Sequence, residues 1–130
     1  MARTSKMRVL LVDDRTENRY VLSRILQHAG FVVEECSTGM QALDVVRTLP
    51  DAVILDIKLP DISGYDVCHG IKTDPVTKHV PVLLTSAVLD LRNAASLTAG
   101  AGAEGYLTHP FVPADVIEKV NRVIKMIRQA

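Results

Sequence analysis

Residues 52–56 read AVILD: four apolar side chains in a row, then a carboxylate. A strand with one wet face alternates apolar and polar residues. An unbroken apolar run of this length is buried on both faces, and that belongs to a parallel sheet with helices on either side. Two other stretches have the same form. RVLLV (8–12) runs into Asp13 and Asp14, and VPVLLTS (80–86) ends on Ser86. FVVEEC (31–36) and GYLT (105–108) are also strand-like, the latter halted by His109 and Pro110.

Helical patterns separate these strands. From Tyr20, apolar residues recur at Val21, Leu22, Ile25, Leu26 and Ala29, with Gly30 as the stop. Thr38 and Gln41 stand at capping-box spacing ahead of Ala42, Leu43, Val45, Val46 and Leu49, and Pro50 ends that helix. Ser63, three residues before Asp66, caps a helix carrying Val67, Cys68 and Ile71, which Asp74–Pro75 breaks. A weaker helix runs from Leu89 to about Ala99, with Gly100 as its stop. Pro113 suits a first helical position, and Val116, Val120, Val123 and Ile127 give the final helix one apolar face. Five strands alternating with five helices predict an α/β, doubly wound parallel sheet.

Bulk properties narrow the function. With 130 residues, 48% of them apolar, the chain suits one domain. Lys and Arg total 15 and so do Asp and Glu, a balance that counts against direct nucleic-acid binding. The basic residues near the ends (Arg3, Lys6, Arg8; Arg122, Lys125, Arg128) read as solvated surface. No apolar run approaches the roughly 20 residues that span a bilayer. MARTSKMR lacks the apolar stretch and cleavage site of a signal peptide. The expectation is a cytoplasmic protein with no membrane partner. Cys36 and Cys68 sit in apolar patterns and read as reduced core thiols. GAGAEG (100–105) has dinucleotide-loop spacing but follows a helix and leads into a strand, the reverse of the required order. It reads as a helix stop plus a turn. DDRTEN after the first strand is acidic and would repel the phosphate of a flavin nucleotide. No nucleophile elbow, zinc-ligand spacing or Walker loop is present. His28, His69 and His79 fall in helix or loop settings that suit the surface.

The carboxyl ends of the strands carry the chemistry, because ligands of open parallel sheets bind there. Asp13 and Asp14 follow the first strand, Asp56 closes AVILD, Ser86 closes VPVLLTS and His109 follows GYLT. Three carboxylates held together are costly unless a cation joins them, and oxygen-only ligands suit Mg²⁺. Taken alone, Asp14 reads as a helix N-cap with Glu17 at the matching position. Asp13, Asp14 and Asp56 together point to a cation site.

VDD after the first strand, VILDIKLPDISGYD around Asp56, PVLLTSA and GYLTHPF together resemble the CheY-like response-regulator receiver domain of two-component signalling. The resemblance covers residues 7–128 and leaves 1–6 as an N-terminal tail. It implies a flavodoxin-like (βα)5 domain with strand order 2-1-3-4-5. It implies that Asp56 is the phosphoacceptor and that Asp13, Asp14, Asp56 and the Lys58 backbone carbonyl surround Mg²⁺. It further implies that Ser86 contacts the phosphoryl group and shifts on activation, with Tyr106 as the aromatic switch residue. No other cofactor is implied, and the module is not an enzyme. A phosphatase of the haloacid-dehalogenase kind usually has a second Asp two residues after its nucleophile, where Lys58 stands here. The implied partners are a sensor histidine kinase or phosphotransfer protein upstream and a protein effector downstream. The surface of the fourth helix, last strand and last helix would serve the effector or dimerisation. The chain ends in its last helix, so no output domain is expected to follow.

His109 is the departure from the family pattern, which has lysine there. A lysine is charged at every physiological pH, whereas free histidine titrates near about 6.5. The expectation is that phosphorylation survives while its link to the switch is weakened or made pH-dependent. The alternative is a degenerate receiver that binds protein partners without phosphate. The resemblance implies a cis His109–Pro110 bond, although base rates alone favour trans.

Overall fold

The computed structural model of the chain describes residues 6–86 and 98–128. Five strands form one sheet: β1 (Arg8–Val12), β2 (Val32–Cys36), β3 (Ala52–Asp56), β4 (Val82–Ser86) and β5 (Gly105–Thr108). Their order is β2-β1-β3-β4-β5, as the family resemblance implies, and every pairing is parallel, as the apolar runs predict. The helices are α1 (Thr16–His28), α2 (Gly39–Val45), α3 (Gly64–Thr73), α4 (described at 98–101) and α5 (Pro113–Arg128).

The two-faced burial of AVILD has a simple cause. Val53 and Leu55 point to one face and pack with Leu10, Val12, Val82 and Leu84 under Ala42 and Val46 on the α2 side and Val67, Cys68 and Ile71 of α3. Ala52 and Ile54 point to the other and pack with Val9, Leu11, Leu83 and Leu107 under Leu22 and Leu26 of α1 and Val116, Val120 and Val123 of α5. Side chains alternate across a strand, so helices on both faces require apolar residues at every position. Each fully buried Leu, Ile or Val contributes roughly 1.5–3 kcal/mol, and β3 contains three such residues in sequence.

The helix ends follow local chemistry, with three departures from expectation. Gly30 ends α1 at φ 98°, with Gly30 N–H on Gln27 O and Phe31 N–H on Leu26 O, a Schellman closure. That helix starts at Thr16 rather than Tyr20, because its first turn is polar and adds no residue to the apolar pattern. The second helical pattern reaches Leu49, but α2 stops at Val45 and tightens into a 3₁₀ turn over Val46–Thr48. Leu49 then takes a left-handed φ of 61° and faces solvent. The expected stop at Gly100 moves to Gly102 (φ 86°), where the same Schellman pair closes α4 through Gly102 N–H on Ala99 O and Ala103 N–H on Thr98 O. The rest of the predicted 89–99 helix lies outside the described residues. The terminal arginines are also more engaged than expected. Arg8 pairs with Glu34 at 2.8 Å and Arg128 with Asp51 at 2.8 Å. Cys36 and Cys68 are buried free thiols, and His28, His69 and His79 are exposed, as expected.

Candidate functional site

Strand order brings the acids together. The chain leaves β1 toward β2 on one side, then returns to place β3 on the other, so a crevice opens between the carboxyl ends of β1 and β3. Asp13 and Asp14 stand on one lip and Asp56 on the other. One carboxylate oxygen from each lies within 4.8 Å of the other two. Asp14, Arg15, Asn18, Asp56, Lys58, Leu59, Pro60 and Ser86 line a cleft of about 770 Å³ above them.

Each acid is held differently. Asp13 is only 1% exposed. Its Oδ1 accepts the Arg15 N–H at 2.8 Å and its Oδ2 accepts the Asn18 amide at 3.1 Å. Its carbonyl accepts from the Arg19 guanidinium at 2.6 Å, and Arg19 in turn pairs with Glu35 of β2. Burial pushes the Asp13 carboxyl up and the two hydrogen bonds pull it back, while Asp14 raises it and nearby His109 lowers it. Asp14 is exposed and does not cap α1, because the cap position is Arg15 and no side chain closes it. The capping reading of Asp14 is thereby removed. Asp56 is buried, accepts the Lys58 N–H at 3.2 Å, and is pushed up to about 6. Burial is the main cause and Asp13 the next, with the Lys58 and Ile57 amides opposing them and Asp14 adding to the rise.

The other sequence-predicted residues fall around this centre. Ser86 is buried at the end of β4 and lines the cleft. Lys58 is exposed beside it. His109 follows β5, half-buried, with a cis bond to Pro110 and its ring centroid 4.2 Å from that of Phe111. Tyr106 pairs with Leu84 in the sheet and is half-buried. Its carbonyl accepts from the Lys119 ammonium at 3.3 Å, and that ammonium sits 5.7 Å from the ring centre.

Two features escaped the sequence reading. Asn18 and Arg19 brace Asp13 from the first turn of α1; their spacing of four and five residues beyond Asp14 was a usable helical signal. Asp61 accepts the Gly39 and Met40 amides at 2.8 and 2.9 Å, tying the loop after Asp56 to the start of α2 and holding its carboxyl below the usual range. Nothing local in the sequence shows which amides it meets. The sequence leaves Gly64 as either a point of close approach or an ordinary loop glycine. A Cβ there would collide with the Asp56 carbonyl oxygen and come within 2.7 Å of Ile57 Cα, and its N–H donates to Ile57 O at 2.7 Å. This glycine lets α3 start directly against the strand end that carries Asp56.

The family profile described as "Response regulator receiver domain" matches residues 9–121. The chain belongs to the receiver family. The receiver resembles the DNA-binding response regulator MtrA of Mycobacterium tuberculosis at 35% identity over 118 residues, covering 90% of this chain and 50% of that protein. Among solved structures, a CheY-like receiver domain protein of Methanospirillum hungatei superimposes with a TM-score of 0.84 at 27% identity, covering 96% of this chain and 98% of that one. The receiver domain of the sensor histidine kinase PA1611 of Pseudomonas aeruginosa gives a TM-score of 0.84 at 27% identity, covering 93% and 99%; its structure has a magnesium ion coordinated in the active site cleft. The receiver spans about half the length of the first curated relatives it matches. Receivers are two-component signalling modules rather than enzymes, and they partner histidine kinases. The acidic triad here is like a receiver Mg²⁺ site. Among the described residues, no helix is long and apolar enough to cross a membrane.

Proposed function

We propose that this receiver accepts a phosphoryl group on Asp56 from a phosphohistidine of a histidine kinase or phosphotransfer protein, and that the change controls a protein partner. The observation that carries the proposal is the meeting of Asp13, Asp14 and Asp56 within 4.8 Å at the switch point of the sheet, with Asp56 buried and open to the cleft. The residues fit Mg²⁺. All three donors are oxygens, Asp14 is exposed and unpaired among the described residues, and burial, with the neighbouring acids adding to it, raises the carboxyls of Asp13 and Asp56. Asp13, Asp14, Asp56 and the Lys58 carbonyl would hold the ion, which when bound neutralises charge on the phosphoryl oxygens.

The chain's own residues supply the rest. An Asp56 carboxylate oxygen forms a bond to phosphorus as the donor's P–N bond breaks. The electron pair returns to the ring nitrogen, and the imidazole leaves neutral when its other nitrogen carries a proton. The Lys58 amide fixes the attacking carboxylate. The Ser86 hydroxyl, at the neighbouring strand end, would donate to a phosphoryl oxygen, and its movement toward that oxygen would free space for Tyr106. Phosphoryl transfer depends mainly on such positioning and charge neutralisation.

The test is incubation with acetyl phosphate and Mg²⁺ followed by a phosphate-affinity gel. The wild type shifts and Asp56→Asn does not; a wild type that fails to shift, or an Asn variant that still does, overturns the reading. His109 keeps the phosphate-independent module alive as a second reading. His109→Lys is expected to phosphorylate to a similar extent and to switch more completely at pH 8 than the wild type, monitored by amide chemical shifts at Tyr106. Equal switching at pH 6 and pH 8 in both proteins would remove His109 from the mechanism.

A further inference from the structure

The charges around the cleft do not balance once Asp56 carries phosphate. The Asp13 and Asp14 carboxylates and an acyl-phosphate dianion bring about four negative charges, and one divalent cation leaves about two. Two cationic side chains line the same cleft, Arg15 and Lys58. Both are exposed, and among the described residues neither has a carboxylate within 4.0 Å. Lys6, Arg24, Lys78 and Lys125 also lack an acidic partner among the described residues, but Arg15 and Lys58 are the ones that line the cleft.

Their backbones explain why they stand there. The Arg15 N–H is bound to Asp13 and the Lys58 N–H to Asp56, so each cation is rooted one hydrogen bond from an acid of the site. Each root lies on a different lip of the crevice. The side chains are left to reach over the opening, where an incoming phosphoryl group would arrive.

We propose that Arg15 and Lys58 are the charge-balancing residues of this receiver: together they neutralise the phosphoryl group on Asp56 and attract anionic phosphodonors, a task His109 performs less fully than a lysine. The inference rests on Asp56 being the phosphoacceptor. It makes a prediction of opposite signs. Two cations beside the acidic triad repel a metal ion, so removing either tightens Mg²⁺ binding. The same removal exposes the phosphoryl dianion, so phosphorylation slows.

The experiment uses the whole chain with Arg15→Met, Lys58→Met, the double variant and Lys58→Arg. Substitution at 58 keeps the backbone carbonyl. Mg²⁺ affinity is measured by titration without phosphate, and the rate of Asp56 labelling by acetyl phosphate at saturating Mg²⁺. Each Met variant is expected to label roughly 3- to 10-fold more slowly at low ionic strength, with the difference shrinking as salt rises. Each should bind Mg²⁺ more tightly, and Lys58→Arg, which keeps the charge, should label faster than Lys58→Met. Unchanged labelling in the double variant overturns the proposal. So does slower labelling accompanied by weaker Mg²⁺ binding, which marks simple structural damage. A wild type that takes no label at all refutes the phosphoacceptor reading itself, and this inference falls with it.

Discussion

At the scale of single residues, the site stores electrostatic cost. Asp56 is buried beside Asp13, and its carboxyl is pushed up to about 6. An acid whose folded value is raised binds its proton more tightly in the folded state. Its stability contribution is therefore full below the unfolded value of about 3.9 and is lost as pH rises through about 6. In metal-free buffer, Asp56→Asn should be more stable than the wild type at pH 7 by about 1–3 kcal/mol, and the gain should shrink toward pH 4. Urea unfolding at the two pH values measures it. A gain that grows on acidification would show that Asp56 is stabilised, not penalised, by its surroundings. The sequence already placed the three acids at one edge of the sheet, because each follows a strand whose apolar run is unambiguous. It left open whether Gly64 allows a close approach to Asp56 or is an ordinary loop glycine. That depends on a helix start approaching the Asp56 and Ile57 backbone, a contact that no local pattern encodes.

At the scale of elements, the parts that were legible are those governed by local periodicity and capping. Thr38 caps α2 by accepting the Gln41 N–H, and Ser63 caps α3 by accepting the Tyr65 N–H. The capping box closes one residue earlier than its simplest form, since Gln41 takes the Ser37 N–H. What was not legible is how elements are tied across the fold. Lys72 of α3 shows this. It had no role in the apolar pattern, yet its ammonium donates to Val80 O and pairs with Glu104 at 2.7 Å each. Glu104 also accepts the Val82 N–H at 2.7 Å. This knot joins α3, the start of β4 and the turn before β5. The two side chains are 11% and 15% exposed, so breaking the pair strands a charge in a poorly hydrated place. Lys72→Met should cost about 3–5 kcal/mol, and Lys72→Met with Glu104→Gln should recover part of that loss. Denaturant midpoints of the three proteins decide it. A double variant as unstable as the single would mean that Glu104 is not the stranded charge.

At the scale of the whole molecule, the two poles of the sheet do different work. The amino pole is closed by neutralised pairs: Asp51 accepts the Arg8 N–H and the Arg128 guanidinium, fastening the end of α5 to the starts of β1 and β3. The carboxyl pole is left with surplus negative charge at Asp13, Asp14 and Asp56. A ligand that relieves that surplus binds the folded chain and not the unfolded one, so it must stabilise the entire domain by RT ln(1 + [L]/Kd). At a Mg²⁺ concentration of about one hundred times Kd, this amounts to about 2.7 kcal/mol. Thermal unfolding should thus shift upward with Mg²⁺, logarithmically in concentration. The shift should be lost in Asp14→Ala, whose side chain is exposed and whose removal spares the core. It should persist in Lys72→Met, because that knot lies away from the crevice. Loss of the shift in Lys72→Met would mean that the ion acts through general screening or a different site. Retention in Asp14→Ala would mean that the acids at the crevice do not hold it.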